Sequence, residues 1–96
     1  MPRRRSKLDI MLNVLSVVRG GVDKPTRIMY AANLSWRPTQ RILRSLVQRG
    51  LLREIEDTES RRTKRRYEIT EKGMRVLKYF DKARDLLAIE EILSFG

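Results

Sequence analysis

Arg37, Arg41, Arg44 and Gln48 recur at i, i+4, i+7 and i+11, which lines them along one face of a helix. Ile42, Leu43, Leu46 and Val47 fall toward the opposite face, and Gln40 and Ser45 flank the basic stripe. Such a face offers hydrogen-bond donors and acceptors to phosphate oxygens and to base edges in a major groove. A charged stripe on an isolated helix is ordinarily just a solvated face. Here no acidic residue stands between Ser35 and Leu52 to form local ion pairs, and a polyanionic partner is the better reading.

Two further groups could act on the same partner. Arg61, Arg62, Lys64, Arg65 and Arg66 put five cations within six residues, with Asp57 and Glu59 beside them. Their mutual repulsion is costly in a structural turn, whereas a phosphate backbone relieves it and releases counterions, giving salt-sensitive affinity. The expectation is a loop disordered when free that also contacts DNA, with one or two tip arginines able to reach a minor groove. Arg3, Arg4 and Arg5, with Lys7, form either a third contact as a basic arm or a solvated tail. Trp36 could stack on DNA or a ribose, but a lone Trp beside a turn more often packs on the core, and packing is the expectation. Tyr30 and Tyr67 are read the same way, Tyr67 more firmly because it alternates with Ile69 along a strand.

Charge and composition narrow the classes. The 96 residues carry 22 Lys and Arg against 12 Asp and Glu, a net charge of +10. All of that excess lies in residues 1–70; residues 71–96 carry equal numbers of each sign. With no Cys and no His there is no thiol nucleophile, imidazole base or common transition-metal ligand. The carboxylates are scattered beside basic partners, and no Walker-type phosphate loop is present. The expectation is a non-enzymatic protein with no cofactor and no metal. No apolar stretch approaches the roughly 20 residues needed to span a bilayer, so a soluble, cytoplasmic, nucleoid-associated protein with no membrane partner is expected.

The elements that must position these groups are legible in order. Ser6 and Asp9 resemble a capping box ahead of the helical spacing Leu8, Met11, Leu12, Leu15, Val18, predicting a helix from about Lys7 to Arg19, ended by Gly20-Gly21. Pro25 opens a short second helix to about Ala32 that buries Ile28 and Met29. Asn33-Leu34-Ser35 is the break, with Leu34 plugging the core and Ser35 capping a third helix to about Gln48; Pro38 is tolerated in its first turn. Leu51 to Glu56 and Arg66 to Thr70 read as strands of a hairpin. Thr70 caps a last helix to about Leu93, in which Gly73 is a cost. The order predicts a mostly α protein with a small β-hairpin: a winged helix-turn-helix (α-α-α-β-β-α) with a long C-terminal helix. Its organisation would be a basic tail (1–5), a winged-helix domain (6–70) and a C-terminal helix (71–96).

That last helix is longer than so small a domain needs. Met74, Leu77 and Phe80 can pack on the domain, while Ala83, Leu86, Leu87, Ile89, Ile92 and Leu93 continue an apolar stripe. A second copy covering that stripe, making a homodimer, is the expectation; the alternative is a helix folded back on its own domain.

The segment Thr26-Arg27-Ile28-Met29-Tyr30-Ala31-Ala32-Asn33-Leu34-Ser35, then Gly50-Leu51-Leu52, then Tyr67-Glu68-Ile69-Thr70-Glu71-Lys72-Gly73 resembles the small archaeal winged-helix family of DNA-binding and chromatin-associated proteins. The similarity covers about residues 6–80, and its first segment is fairly specific. The resemblance implies a basic, abundant or regulatory protein that binds double-stranded DNA, dimerises through the C-terminal helix, and sets the third helix (Ser35 to Gln48) and the wing (Asp57 to Arg65) on the DNA. Two readings compete with it. A protein-interaction winged helix would expose an apolar patch on the third helix, where this one exposes arginine; an RNA-binding role would want aromatic platforms, for which Trp36 is the candidate.

Overall fold

The computed structural model describes residues 6–57 and 64–95; Arg3, Arg4, Arg5, Arg61 and Arg62 lie outside them. Its elements are α1 (Lys7–Arg19), α2 (Pro25–Ala31), α3 (Trp36–Gln48), β1 (Leu52–Asp57), β2 (Lys64–Ile69) and α4 (Glu71–Phe95). The Ser6–Asp9 capping box forms, with the Ser6 hydroxyl accepting from the Asp9 N–H at 3.0 Å and the Asp9 carboxylate accepting from the Ser6 N–H at 3.3 Å.

Each of the first three helices closes the same way. Gly21, Asn33 and Gly50 adopt φ of +103°, +55° and +73°. The N–H groups of these residues and of Val22, Leu34 and Leu51 after them then return to carbonyls of the preceding helical turn. This left-handed closure satisfies carbonyls that a helix end otherwise leaves bare, and glycine or asparagine supplies it at least steric cost. Asn33 therefore sets the turn between α2 and α3.

Ser35 occupies the N-cap of α3, but its hydroxyl makes no capping bond. An N-cap side chain accepts from the second or third N–H of its helix, and the third residue is Pro38, which has none. The Ser35 carbonyl instead accepts from the Thr39 N–H at 3.1 Å and the Thr39 hydroxyl at 2.8 Å. Thr39 is thereby fully buried with its polar atom satisfied.

The hairpin is antiparallel, pairing Leu52 with Ile69, Glu54 with Tyr67, Glu56 with Arg65 and Asp57 with Lys64. Both strands sit differently from the sequence expectation. Leu51 is excluded from β1 because its N–H closes α3 on the Leu46 carbonyl, and Thr70 is taken by the start of α4. At the open end Lys64 and Arg65 join β2, opposite Asp57 and Glu56. The Tyr67 N–H also reaches the Asp23 carbonyl at 2.9 Å, tying β2 to the segment between α1 and α2.

The core joins Leu12, Val14, Leu15 and Val18 of α1, Ile28 and Ala32, Ile42, Leu43 and Leu46 of α3, Leu51, Leu52, Tyr67 and Leu77 of α4. Leu34 packs against it from the turn, as expected. Met29 is only half-buried and Met74 is exposed, contrary to expectation, and Ile28 and Leu77 are the residues that α2 and α4 bury there. On α4, Val76 and Phe80 pack beside Leu77, and Arg19 of α1 meets Asp81 at 3.4 Å. The helix runs on past these contacts to Phe95, two residues beyond the expected end, and the molecule measures 61 × 32 × 20 Å.

Candidate nucleic-acid interface

The stripe read from sequence is on the surface. Arg37, Gln40, Arg41, Arg44 and Gln48 are all exposed along α3, while Ile42, Leu43 and Leu46 are buried behind them. The helix carries three basic residues and no acidic one, with Arg49 following as its C-cap, and its start is held by Asn33 and its end by Gly50. Lys72 adds a second hold, donating from Nζ to the Arg49 carbonyl at 2.8 Å where α3 ends. Ser45 stands apart from its neighbours: it is half-buried, and its hydroxyl accepts from Arg49 Nε at 3.2 Å.

Among the described residues, two of the wing cations are answered by carboxylates. Arg65 Nε lies 3.2 Å from Glu54 and 3.9 Å from Glu56, and Arg66 lies 2.9 Å from Glu68. The strand register supplies Glu54 and Glu56, which linear neighbourhood alone did not suggest: Glu56 faces Arg65 directly and Glu54 is its same-face diagonal neighbour, whereas Glu68 stands two residues from Arg66 in β2 itself. Lys64 is exposed at the outer end of β2.

Between α3 and the wing lies a recess of about 210 Å³. One wall is a stripe of α3 comprising Trp36, Gln40, Leu43, Arg44, Val47 and Gln48; the other is Glu54, Arg65 and Tyr67, with Pro25 at one end. Trp36 is 44% exposed and not part of the core, contrary to expectation. It occupies the first position of α3, where the helix leaves the turn, two turns before the buried Leu43 on the same side of the helix. Tyr30 is likewise exposed, at 75%, on the outer side of the short α2. Tyr67 is the aromatic that is buried, as the strand alternation predicted. Its phenol is pushed above the ordinary tyrosine range, first by burial and then by the Glu54 carboxylate, against the opposing pull of Arg65 and Arg44.

Sequence reasoning missed Trp36, Glu54 and Pro25 as parts of one site. The signal was present for Trp36, which shares the i, i+4, i+8 line of Gln40 and Arg44. For Glu54 and Pro25 it was absent, since only the tertiary fold brings β1 and the start of α2 to α3.

On α4, Ala83 is half-buried, and Leu86 and Leu87 are 64% and 62% exposed; the side chains of Ile89, Ile92 and Leu93 lie outside what the structure describes. Among the described residues no cluster of carboxylates could hold a metal ion, and no helix is long and apolar enough to cross a membrane.

Three helices, a two-stranded wing and an exposed third helix define the winged helix-turn-helix class. The family of that description matches residues 4–88, and the chain belongs to it. An uncharacterized protein of Methanocaldococcus jannaschii is 30% identical over 73 residues, which cover 76% of this chain and 67% of that protein. Among solved structures the chain is similar to Sso10a-2, a DNA-binding protein from Sulfolobus solfataricus, at 25% identity and a TM-score of 0.66, covering 94% of each chain. It is also similar in fold to Staphylococcus aureus MepR in its complex with DNA, at 16% identity and a TM-score of 0.72, covering 90% of this chain and 71% of that one. Against a mutant form of MepR the TM-score is 0.77 at 15% identity, and the 88% of this chain that aligns spans 63% of the MepR chain.

Proposed function

We propose that this chain binds double-stranded DNA, as a transcriptional regulator or an architectural chromatin protein, with α3 in the major groove and the wing along the backbone or minor groove. The observation that carries the reading is the exposed face of α3: Arg37, Gln40, Arg41, Arg44 and Gln48 project together from a helix that contains no carboxylate. Arg3, Arg4, Arg5, Arg61, Arg62 and Lys64 add phosphate contacts, and Ser45, Arg65 and Arg66 support the surface through their neighbours. The similar structures agree with it, one being a DNA-binding protein and another a complex with DNA. No catalytic step and no cofactor enter this reading, and the place of action is the cytoplasmic nucleoid. A second copy meets the apolar stripe of α4 through Ala83, Leu86, Leu87, Ile89, Ile92 and Leu93, giving a homodimer with two recognition helices.

The test is fluorescence anisotropy with labelled mixed-sequence duplex across a salt series, with single-stranded RNA of equal length as competitor. Tight, salt-sensitive binding that RNA does not displace is expected. Arg41→Ala with Arg44→Ala should weaken it while leaving the circular dichroism unchanged, since both side chains are exposed. The slope of log K against log salt should fall by about 0.9 for each phosphate that the variant no longer neutralises. Unchanged affinity in the folded double variant would remove α3 from the contact surface, and no duplex binding at low salt would overturn the reading.

A further inference from the structure

We infer that the recess between α3 and the wing seats one deoxyribose–phosphate unit of the bound duplex, with the Trp36 indole against the sugar and Arg44 on the phosphate. The inference rests on the DNA-binding reading and names a contact within it.

Three observations carry it. A half-exposed tryptophan beside a closed core is apolar area left in water, which burial against a partner would recover. The recess joins that indole, Pro25 and Leu43 to the Arg44 guanidinium and the Gln40 carboxamide. This mixture suits a ligand that is apolar on one side and anionic on the other: a purely apolar molecule would leave the guanidinium unanswered, and a free anion would make no use of the indole. The sugar–phosphate edge of a duplex has that mixed character, and the chain's net charge of +10 favours a polyanion.

The third observation concerns Glu54, whose carboxylate lines the same recess and would repel a phosphate. Arg65 answers it at 3.2 Å. In this arrangement Arg65 is a positioning residue: its charge is spent on Glu54, and it keeps the recess open to an anion without itself holding one.

Trp36 is the single tryptophan of the chain, so its emission, excited selectively over the three tyrosines, reports this site alone. Titrating the full-length protein with duplex should quench or shift the emission, and salt should reverse the change in step with the anisotropy. Trp36→Ala should lose about tenfold in affinity, the scale of one good aromatic contact. Its salt slope should stay unchanged, because an apolar contact releases no counterion; Trp36→Phe should retain most of the affinity. Arg65→Ala should weaken binding, and adding Glu54→Gln should restore it. Emission unmoved at saturating duplex, or a folded Trp36→Ala that binds as tightly as the parent, would overturn the seat while leaving DNA binding intact. A double Arg65→Ala, Glu54→Gln variant no tighter than Arg65→Ala would overturn the role given to Arg65. A parent protein that binds no duplex by anisotropy would remove the DNA reading, and this inference with it.

Discussion

Inside the first turn of α4, Gly73 brings its Cα against the Leu51 carbonyl at the root of the wing. A Cβ placed there would collide with that carbonyl oxygen and come within 2.7 Å of Ile69 Cγ1. In sequence the glycine reads only as a weakness of the helix, about 1 kcal/mol worse than alanine. In the fold its missing side chain is what lets α4 cross the end of the hairpin. The two effects compete in Gly73→Ala. The helix gains about 1 kcal/mol, while overpacking against a fixed backbone atom costs about 1–3 kcal/mol. The expected result is a lower urea midpoint; a raised midpoint would mean the junction shifts freely. Trp36 and Tyr67 illustrate the same limit on single-residue reading. The alternation of Tyr67 with Ile69 revealed one buried aromatic, whereas the tendency of a lone Trp beside a turn to pack on the core misled at Trp36, which is left half in water on the line of Gln40 and Arg44.

Elements were legible to within one or two residues where their ends depend on local chemistry. Ser6 with Asp9, Gly21, Asn33 and Gly50 each act through backbone groups a few residues away, so their signals are readable in line. The junction of wing and last helix is different. Thr70 donates from its hydroxyl to the Gly50 carbonyl at 2.6 Å and accepts from the Gly73 N–H at 3.0 Å, joining the end of α3 to the start of α4. Thr70→Ala leaves both backbone groups without that partner and should cost about 1–2 kcal/mol, measured as a fall in denaturation midpoint. Thr70→Ser keeps the oxygen and should recover most of it. An alanine variant as stable as the parent would show that solvent satisfies those groups equally well. In the wing, strand ends moved because pairing across the hairpin decides them: Lys64 and Arg65 extend β2 only when Asp57 and Glu56 stand opposite.

For the molecule as a whole, the notable feature is how far α4 outruns the body it starts on. Twenty-five residues at 1.5 Å each span about 37 Å, and the buried contacts with the body centre on Leu77, with Val76 and Phe80 beside it. Further on, Leu86 and Leu87 are mostly in water. The proposed pairing of two copies predicts that Leu86→Asp with Leu87→Asp yields a monomer by light scattering, with unchanged helical dichroism because neither side chain supports the domain core. Affinity for duplex should fall as well, since one recognition helix then binds alone. A parent protein that is already monomeric at the concentrations used for DNA binding would overturn the pairing.

Sequence alone determined the succession of elements, the apolar faces that form the core, the exposed basic stripe of α3 and the family to which the chain belongs. These follow from periodicity and from caps, which act between residues a few positions apart. Only the tertiary structure decided that Glu54 and Arg65 meet, that Pro25 and β2 wall a recess beside Trp36, and that Gly73 is a point of close approach. Each of those depends on contact between segments distant in the chain, where strand register and the filling of a small core decide which side chain is covered and which is left for a partner.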